Sequence, residues 1–325
     1  MIPVIGMIDE KLKLRAVEFV KSGVRDFIHF PFQEEEIANV IAHFRHIAPP
    51  SAFRKVGKAY TFLNFKGGVG NTFLAVNTAV TLARLSQKRV LLWDMALQSG
   101  DIPFFLNCDP KFSLIEILQN IDQIDDNYLK GVLPSTEHGV SILPAPRRIE
   151  DMDQLTSQSV EKAMNVFLQH FDHVIVDGGN RLSDSLMPVL DNSCHVFLTS
   201  TLELISLRGA SRCIGLLEQL RCSSEKIKVI INRYNSKHEA ITKEKAEEIL
   251  KYEIAHFFSN DYAGVCQSVN LGQAVIDAAP GSPLNQQFKL FVKKIMNHFV
   301  EEKKDSNMFA GLSKVFNKGA KNVAG

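Results

Sequence analysis

Cysteine is scarce and scattered in this chain of 325 residues. Cys108, Cys194, Cys213, Cys222 and Cys266 include no pair at CxxC spacing, which argues against a zinc site or a disulfide framework and fits a reducing compartment. A surplus of one charge sign is missing too: 37 Lys and Arg stand against 36 Asp and Glu, a net charge of +1. That balance gives no support for a strongly basic surface, so nucleic acid is not an expected partner. Apolar runs stay too short to span a bilayer. The opening Met1-Ile2-Pro3-Val4-Ile5-Gly6 is apolar but short and lacks a basic leader, so a cytoplasmic location is expected. What the chain does have is core-forming material: 45% of its residues are hydrophobic, enough for one large domain plus a smaller piece.

Composition divides the chain into four parts. Residues 1–48 read as strand, helix, strand, helix: 4–8 and 26–30 carry strand patterns, and 11–22 and 34–46 carry helical ones. Pro49, Pro50 and Ser51 break the pattern, and Arg54, Lys55 and Lys58 follow in a linker over 49–58. Residues 59–300 form the main domain. Its buried-looking strands recur at 59–65, 89–94, 173–177, 194–199 and 227–231, with helical patterns between most of them. Near-continuous apolar strands alternating with helices indicate an α/β fold, a doubly wound and mostly parallel sheet covered on both faces. The tail, 301–325, is rich in lysine, and Met308, Phe309, Leu312, Val315 and Phe316 share one helical face. That face and its lysines fit peripheral contact with a membrane surface. A helix packed on its own domain, or a disordered end, is the preferred reading.

The chemistry centres on Phe65-Lys66-Gly67-Gly68-Val69-Gly70-Asn71-Thr72. An apolar strand leads in and a helical pattern beginning at Phe73 leads out. A glycine-rich turn in that position lets backbone N–H groups converge on phosphate oxygens. The usual loop ends in Gly-Lys-Ser/Thr, with the lysine reaching the outer phosphates; here Asn71 stands in its place, and Lys66 stands at the front. Thr72 occupies the position of a hydroxyl that ligates Mg²⁺. Asp94, at the end of an apolar strand, points a carboxylate toward the ligand crevice of an open α/β sheet. Val174-Ile175-Val176-Asp177 has the form of a strand whose carboxylate orients Mg²⁺. The pair Gly178-Gly179 would let the following segment move. In Val229-Ile230-Ile231-Asn232-Arg233-Tyr234 a strand ending in Asn-Arg is well placed to meet an adenine base, since an amide both donates and accepts. A turn explains that pair equally well on composition. For the glycine loop the competing reading is a turn without a ligand, and for Asp94 a helix cap.

Together these residues resemble the ParA/MinD-like ATPases, P-loop NTPases whose deviant Walker A motif carries a front lysine, here Lys66-Gly67-Gly68-Val69-Gly70. Within that superfamily the chain is similar to the TadZ/CpaE group of Flp (tight adherence) pilus assembly proteins. Asp94-Met95-Ala96-Leu97-Gln98-Ser99-Gly100-Asp101 resembles the group's DLDLQFGD segment, and Glu203-Leu204-Ile205-Ser206-Leu207-Arg208 its ELPSLR segment. Residues 1–48 resemble the second half of a response-regulator receiver domain, whose G-A-x-D-F-I-x-K-P-F stretch is matched by Gly23-Val24-Arg25-Asp26-Phe27-Ile28-His29-Phe30-Pro31-Phe32, which makes them a partial, degenerate receiver-like subdomain without its phosphoacceptor.

The resemblance implies ATP (or ADP) and Mg²⁺ as cofactors. Lys66, Gly67, Gly68, Val69, Gly70, Asn71, Thr72, Phe73, Asn232 and Arg233 would surround the nucleotide, and Thr72, Asp94 and Asp177 would serve the metal. Lys66 and Asp94 are the expected catalytic positions. It also implies a homodimer in which Lys66 crosses to the partner's phosphates. The other implied partners are Flp pilus proteins, including a secretion ATPase, at a cell pole or the inner-membrane periphery. Two departures bear on turnover. Asn71 removes a cationic phosphate contact, and Ala96 stands where the family's second aspartate activates water. The expectation is therefore nucleotide binding with slow or absent hydrolysis. The alternatives are a working ParA/MinD-type ATPase in DNA partition or division-site positioning, and a pseudo-ATPase that holds no nucleotide.

Overall fold

The computed structural model describes residues 4–9, 24–30, 56–136, 139–235 and 240–299. Strands β1 (Val4–Asp9) and β2 (Val24–Phe30) pair in parallel as a separate two-stranded sheet. The helices expected at 11–22 and 34–46, and the tail 301–325, lie outside the described residues.

The main sheet has seven strands, all parallel. They are β3 (Lys58–Leu63), β4 (Val90–Asp94), β5 (Val140–Leu143), β6 (His173–Asp177), β7 (Ser193–Ser200), β8 (Ile227–Tyr234) and β9 (Ile254–Ser259), in the order β5-β4-β6-β3-β7-β8-β9. After β3 the chain runs outward to β4 and β5, returns to β6, and then fills the other side. The C-terminal ends around β3 and β6 therefore form the topological switch point where such sheets bind ligands.

Among the described residues six longer helices cover the sheet: α1 (Asn71–Ser86), α2 (Ser157–His170), α3 (Leu204–Gln219), α4 (Lys243–Leu250), α5 (Tyr262–Leu271) and α6 (Pro283–Met296). Side chains alternate along each strand, so β3 sends Ala59 and Leu63 to one core and Tyr60 and Phe62 to the other. On the first face Trp93, the lone tryptophan, meets Phe167 of α2 edge-on at 5.2 Å between centroids. On the second, α1 and α6 enclose Phe62, Phe197, Phe288 and Phe291. Burial surrounds most of α1, including Leu74, Val76, Ala79, Val80 and Leu82, which fixes its N-terminus rigidly beneath the glycine loop.

The structure moves some expected boundaries. β3 stops at Leu63, two residues before the expected end, and β8 continues to Tyr234. Asn232 and Arg233 lie at the end of β8, as expected. Two strands were not foreseen. β5 is only four residues long. β9 is an edge strand of alternating burial, with His256 among its buried positions, so neither shows a continuous apolar run.

Candidate nucleotide site

Residues 64–70 carry the chain from β3 to α1. Gly70 is the N-cap of α1 with φ 90°, and Gly68 has φ 78°; side chains other than glycine rarely tolerate this left-handed region. Gly70 is required for a second reason, since a Cβ there would fall 2.4 Å from Asn232 Nδ2. Asn232 Nδ2 donates to the Val69 carbonyl at 2.8 Å, and Asn64 Nδ2 donates to the Lys66 carbonyl at 2.6 Å. Two asparagine amides thus brace the loop. The first turn of α1 has no side-chain cap and no acidic residue, leaving its backbone N–H groups and positive dipole end directed at the loop. An anion is the natural occupant of such a position.

Asn71 turns inward. Its Nδ2 donates to Asp177 Oδ1 at 2.7 Å and to the Phe62 carbonyl at 3.2 Å, while its Oδ1 accepts from Thr199 Oγ1 at 2.6 Å. The Thr72 hydroxyl donates to the other oxygen of Asp177, and the Gly179 N–H donates to Asp177 Oδ1 at 3.1 Å. Burial nevertheless pushes the Asp177 carboxyl above the usual carboxylate range, against the donors from Thr72, Gly179 and Asn71 that favour its charge.

Asp94 lies beside Asp177 in the register of β4 and β6. Its Oδ1 accepts from the Ala96 N–H at 3.0 Å and its Oδ2 from the Ile102 N–H at 3.3 Å, so the carboxylate organises the loop at 95–101. Burial first, and the neighbouring Asp177 charge second, push its pKa up to about 8. Ala96 packs against the segment after β6, where Gly179 has φ 67° and a Cβ would come within 3.1 Å of Ala96. Gly179 therefore holds the two loops in close approach.

The remaining expected residues are dispersed. Lys66 Nζ forms an ion pair with Glu203, the residue that precedes α3. Phe73 places its ring in the core, 6.0 Å from that of Phe288, so only its backbone faces the loop. Arg233 is exposed with φ 56°. Thr199 and Glu203 also belong to the site, the first through Asn71 and the second through Lys66. Thr199 sits near the C-terminal end of β7, next to β3, and the rule that ligands lie at strand C-termini was the available signal.

The oxygens of Thr72 and Asp177 are the hard donors Mg²⁺ takes. Among the described residues no group of three or more His, Cys, Asp or Glu could hold a metal ion. A Mg²⁺ here would need phosphate oxygens and water to complete its shell, as it does in nucleotide sites. Among the described residues no helix is long and apolar enough to cross a membrane.

Comparison with known proteins agrees with this fold. The septum site-determining protein MinD of Thermotoga maritima is 27% identical over 204 residues, covering 61% of this chain and 74% of that protein. A ParA family ATPase from Chlorobium tepidum superposes with a TM-score of 0.69 at 24% identity, covering 73% of this chain and 98% of the other. MinD of Pyrococcus horikoshii, solved with Mg-ADP, superposes with a TM-score of 0.62 at 18% identity, covering 74% and 96%. Residues 60–280 match the family described as the CobQ/CobB/MinD/ParA nucleotide binding domain, and the chain belongs to that family.

Proposed function

We propose that this protein is a nucleotide-held scaffold of Flp pilus assembly. It binds ATP or ADP with Mg²⁺, pairs as a homodimer across the glycine loop, and turns ATP over slowly or not at all. The supporting observation is Asn71. At the position where a lysine would reach the outer phosphates stands an amide held by Asp177, Phe62 and Thr199. Ala96 adds a second loss, since water-positioning help is typically worth ~10²–10⁴-fold in rate. What remains suits binding: the uncapped helix N-terminus, Thr72 and Asp177 for the cation, Asn232 and Arg233 near the base, and Lys66 for the partner's phosphates. Asp94, in this reading, shapes the adjoining loop and supports the metal through Asp177.

In the same proposal residues 1–48 are a degenerate receiver-like docking module, and 301–325 are a tail that packs on the protein or touches the membrane. Both attach to the 59–300 domain, the first through the linker 49–58. Partners are other Flp pilus proteins, including a secretion ATPase, at the cell pole or inner-membrane periphery. The parallel β1–β2 pair is consistent with the module.

The test is ATP hydrolysis by the purified chain beside an active ParA-type control, together with an Asn71→Lys/Ala96→Asp double variant. Turnover near the control would sink the scaffold reading. The similarity to MinD favours a second reading, an active ATPase that positions division machinery or moves DNA. Tight, salt-sensitive DNA binding would support the partition form of that reading.

A further inference from the structure

The inward hydrogen bonding of Asn71 bears on which nucleotide the site selects. Telling a triphosphate from a diphosphate requires a group that touches the terminal phosphoryl and nothing else. In a glycine loop the backbone N–H groups serve the inner phosphates, and the lysine at the end of the loop serves the outer ones. Here that position holds a shorter, neutral side chain with both ends already bonded. Thr199 Oγ1 holds its oxygen at 2.6 Å, and Asp177 Oδ1 and the Phe62 carbonyl hold its nitrogen at 2.7 and 3.2 Å. Asn71, Thr199 and Asp177 are 6%, 2% and 0% exposed. Swinging the amide toward a ligand would take from the buried Thr199 hydroxyl its acceptor and from Asp177 and the Phe62 carbonyl one donor each, although these two keep the Gly179 and Gly178 N–H groups; native structures avoid such unpartnered buried groups. The other lysine, Lys66, is paired with Glu203 of the same chain.

We infer that a single copy of this chain does not read the third phosphate: it binds Mg-ADP and Mg-ATP with nearly equal affinity, because Thr199 and Asp177 hold Asn71 away from the terminal phosphoryl. The inference rests on the proposed reading that the loop holds a nucleotide. Preference for the triphosphate then has to come from a second copy, and nucleotide state alone does not switch the monomer.

The test is calorimetric titration of the full chain with Mg-ADP and with a non-hydrolysable Mg-ATP analogue, at a concentration where light scattering reports a monomer. A charged contact to the terminal phosphoryl would be worth roughly 10- to 100-fold. The expected ratio of dissociation constants is within about threefold, well below that scale. An analogue that binds more than about tenfold tighter than ADP overturns the inference and leaves the nucleotide site standing. Failure of both ligands to bind overturns the nucleotide reading itself. Asn71→Ala is expected to weaken both ligands by a common factor, whereas a loss confined to the triphosphate would show that Asn71 touches the third phosphate and would overturn the inference. Asn71→Lys, if its unfolding followed by Trp93 fluorescence shows a folded protein, is expected to restore a triphosphate preference of about tenfold. If that variant does not fold, the wild-type ratio and the alanine variant still decide.

Discussion

Thr199 Oγ1 donates to Asn71 Oδ1 at 2.6 Å across the joint between β7 and α1, and both side chains are buried. This contact fixes which end of the Asn71 amide faces Asp177. With its oxygen occupied by Thr199, the nitrogen is the end left for the carboxylate, and Nδ2 lies 2.7 Å from Asp177 Oδ1. The glycine loop, the metal-side carboxylate and a central strand are thereby joined without a cation.

Thr199→Val should destabilise the protein by ~1–3 kcal/mol, since it leaves the buried Asn71 carbonyl oxygen without a donor. Thr201, two residues on, is the internal control: its hydroxyl is buried with no partner among the described residues, so Thr201→Val should fall within about 0.5 kcal/mol of wild type. Urea unfolding followed by Trp93 fluorescence measures both. Equal losses in the two variants would remove the special standing of the Thr199–Asn71 bond.

Gly70→Ala tests the loop brace. The substitution meets two obstacles, the left-handed backbone at φ 90° and a Cβ 2.4 Å from Asn232 Nδ2. The backbone cost alone is roughly 1–2 kcal/mol, and the clash must also displace Asn232 from the Val69 carbonyl. Nucleotide affinity should fall together with stability. Gly67→Ala, where a Cβ meets no protein atom within 4 Å, should retain stability within about 0.5 kcal/mol. Thermal unfolding of the pair and nucleotide titration of Gly70→Ala check this, and equal losses of stability in the two variants would argue against the brace.

The boundaries of legibility follow from the kinds of contact involved. The sheet's central strands were readable because β3, β4, β6, β7 and β8 each carry consecutive buried apolar residues, such as Val90, Leu91, Leu92 and Trp93 in β4 and Val229, Ile230 and Ile231 in β8. β9 escaped because one side of an edge strand is freer to carry polar residues, and β5 because four residues give too little pattern. The glycine loop was visible as local spacing along the chain. The inward pose of Asn71 was not, since its partners Asp177 and Thr199 lie 106 and 128 residues away and no local pattern encodes them. The capture of Lys66 by Glu203, 137 residues on, was hidden for the same reason.

Asp94 sets the alkaline side of stability. Its folded pKa of about 8 stands above the ordinary value of 3.8, so the native state holds this proton more tightly than the unfolded chain. The contribution is complete below about pH 4 and is lost as pH rises through about 8. One such group gives a slope of up to ~1.4 kcal/mol per pH unit between those values. Asp94→Asn should remove that slope. The stability difference between variant and wild type should move in the variant's favour from pH 6.5 to 8, read from denaturant midpoints at each pH. A difference independent of pH would exclude the raised pKa.

His256 acts in the opposite direction. Burial first, and the Lys294 charge second, hold its pKa down to about 4, below the ordinary 6.5. Its contribution is present above pH 6.5 and lost as pH falls through about 4. The ring packs 4.7 Å from that of Phe258 and 5.2 Å from that of Phe291, and its Nε2 lacks a hydrogen-bond partner among the described residues. His256→Phe keeps the aromatic contact and removes the titration. The variant gives up the ring's hydrogen bond with the Gln287 backbone, so at pH 7 it should lie within about 1.5 kcal/mol of wild type, and its stability relative to wild type should rise as the pH is lowered to 5. A relative stability that falls toward pH 5 would count against the buried neutral histidine.

The ion pair between Lys66 and Glu203 separates stability from association. The two side chains are 37% and 62% exposed, and pairs in such positions contribute at most about 1 kcal/mol because solvent screens them. Lys66→Ala and Glu203→Ala should therefore leave the thermal midpoint within about 3 °C of wild type. Their effects on pairing of two copies should diverge. Lys66→Ala removes the cation proposed to reach the partner's phosphates and should weaken nucleotide-dependent dimerisation by about tenfold or more, the scale of one charged hydrogen bond. Glu203→Ala removes the carboxylate that holds this cation within its own chain, so it should leave dimerisation unchanged or strengthen it. Sedimentation equilibrium with Mg²⁺ and nucleotide distinguishes the two outcomes. Equal weakening by both substitutions would mean that the ion pair itself, and not the released lysine, supports the dimer.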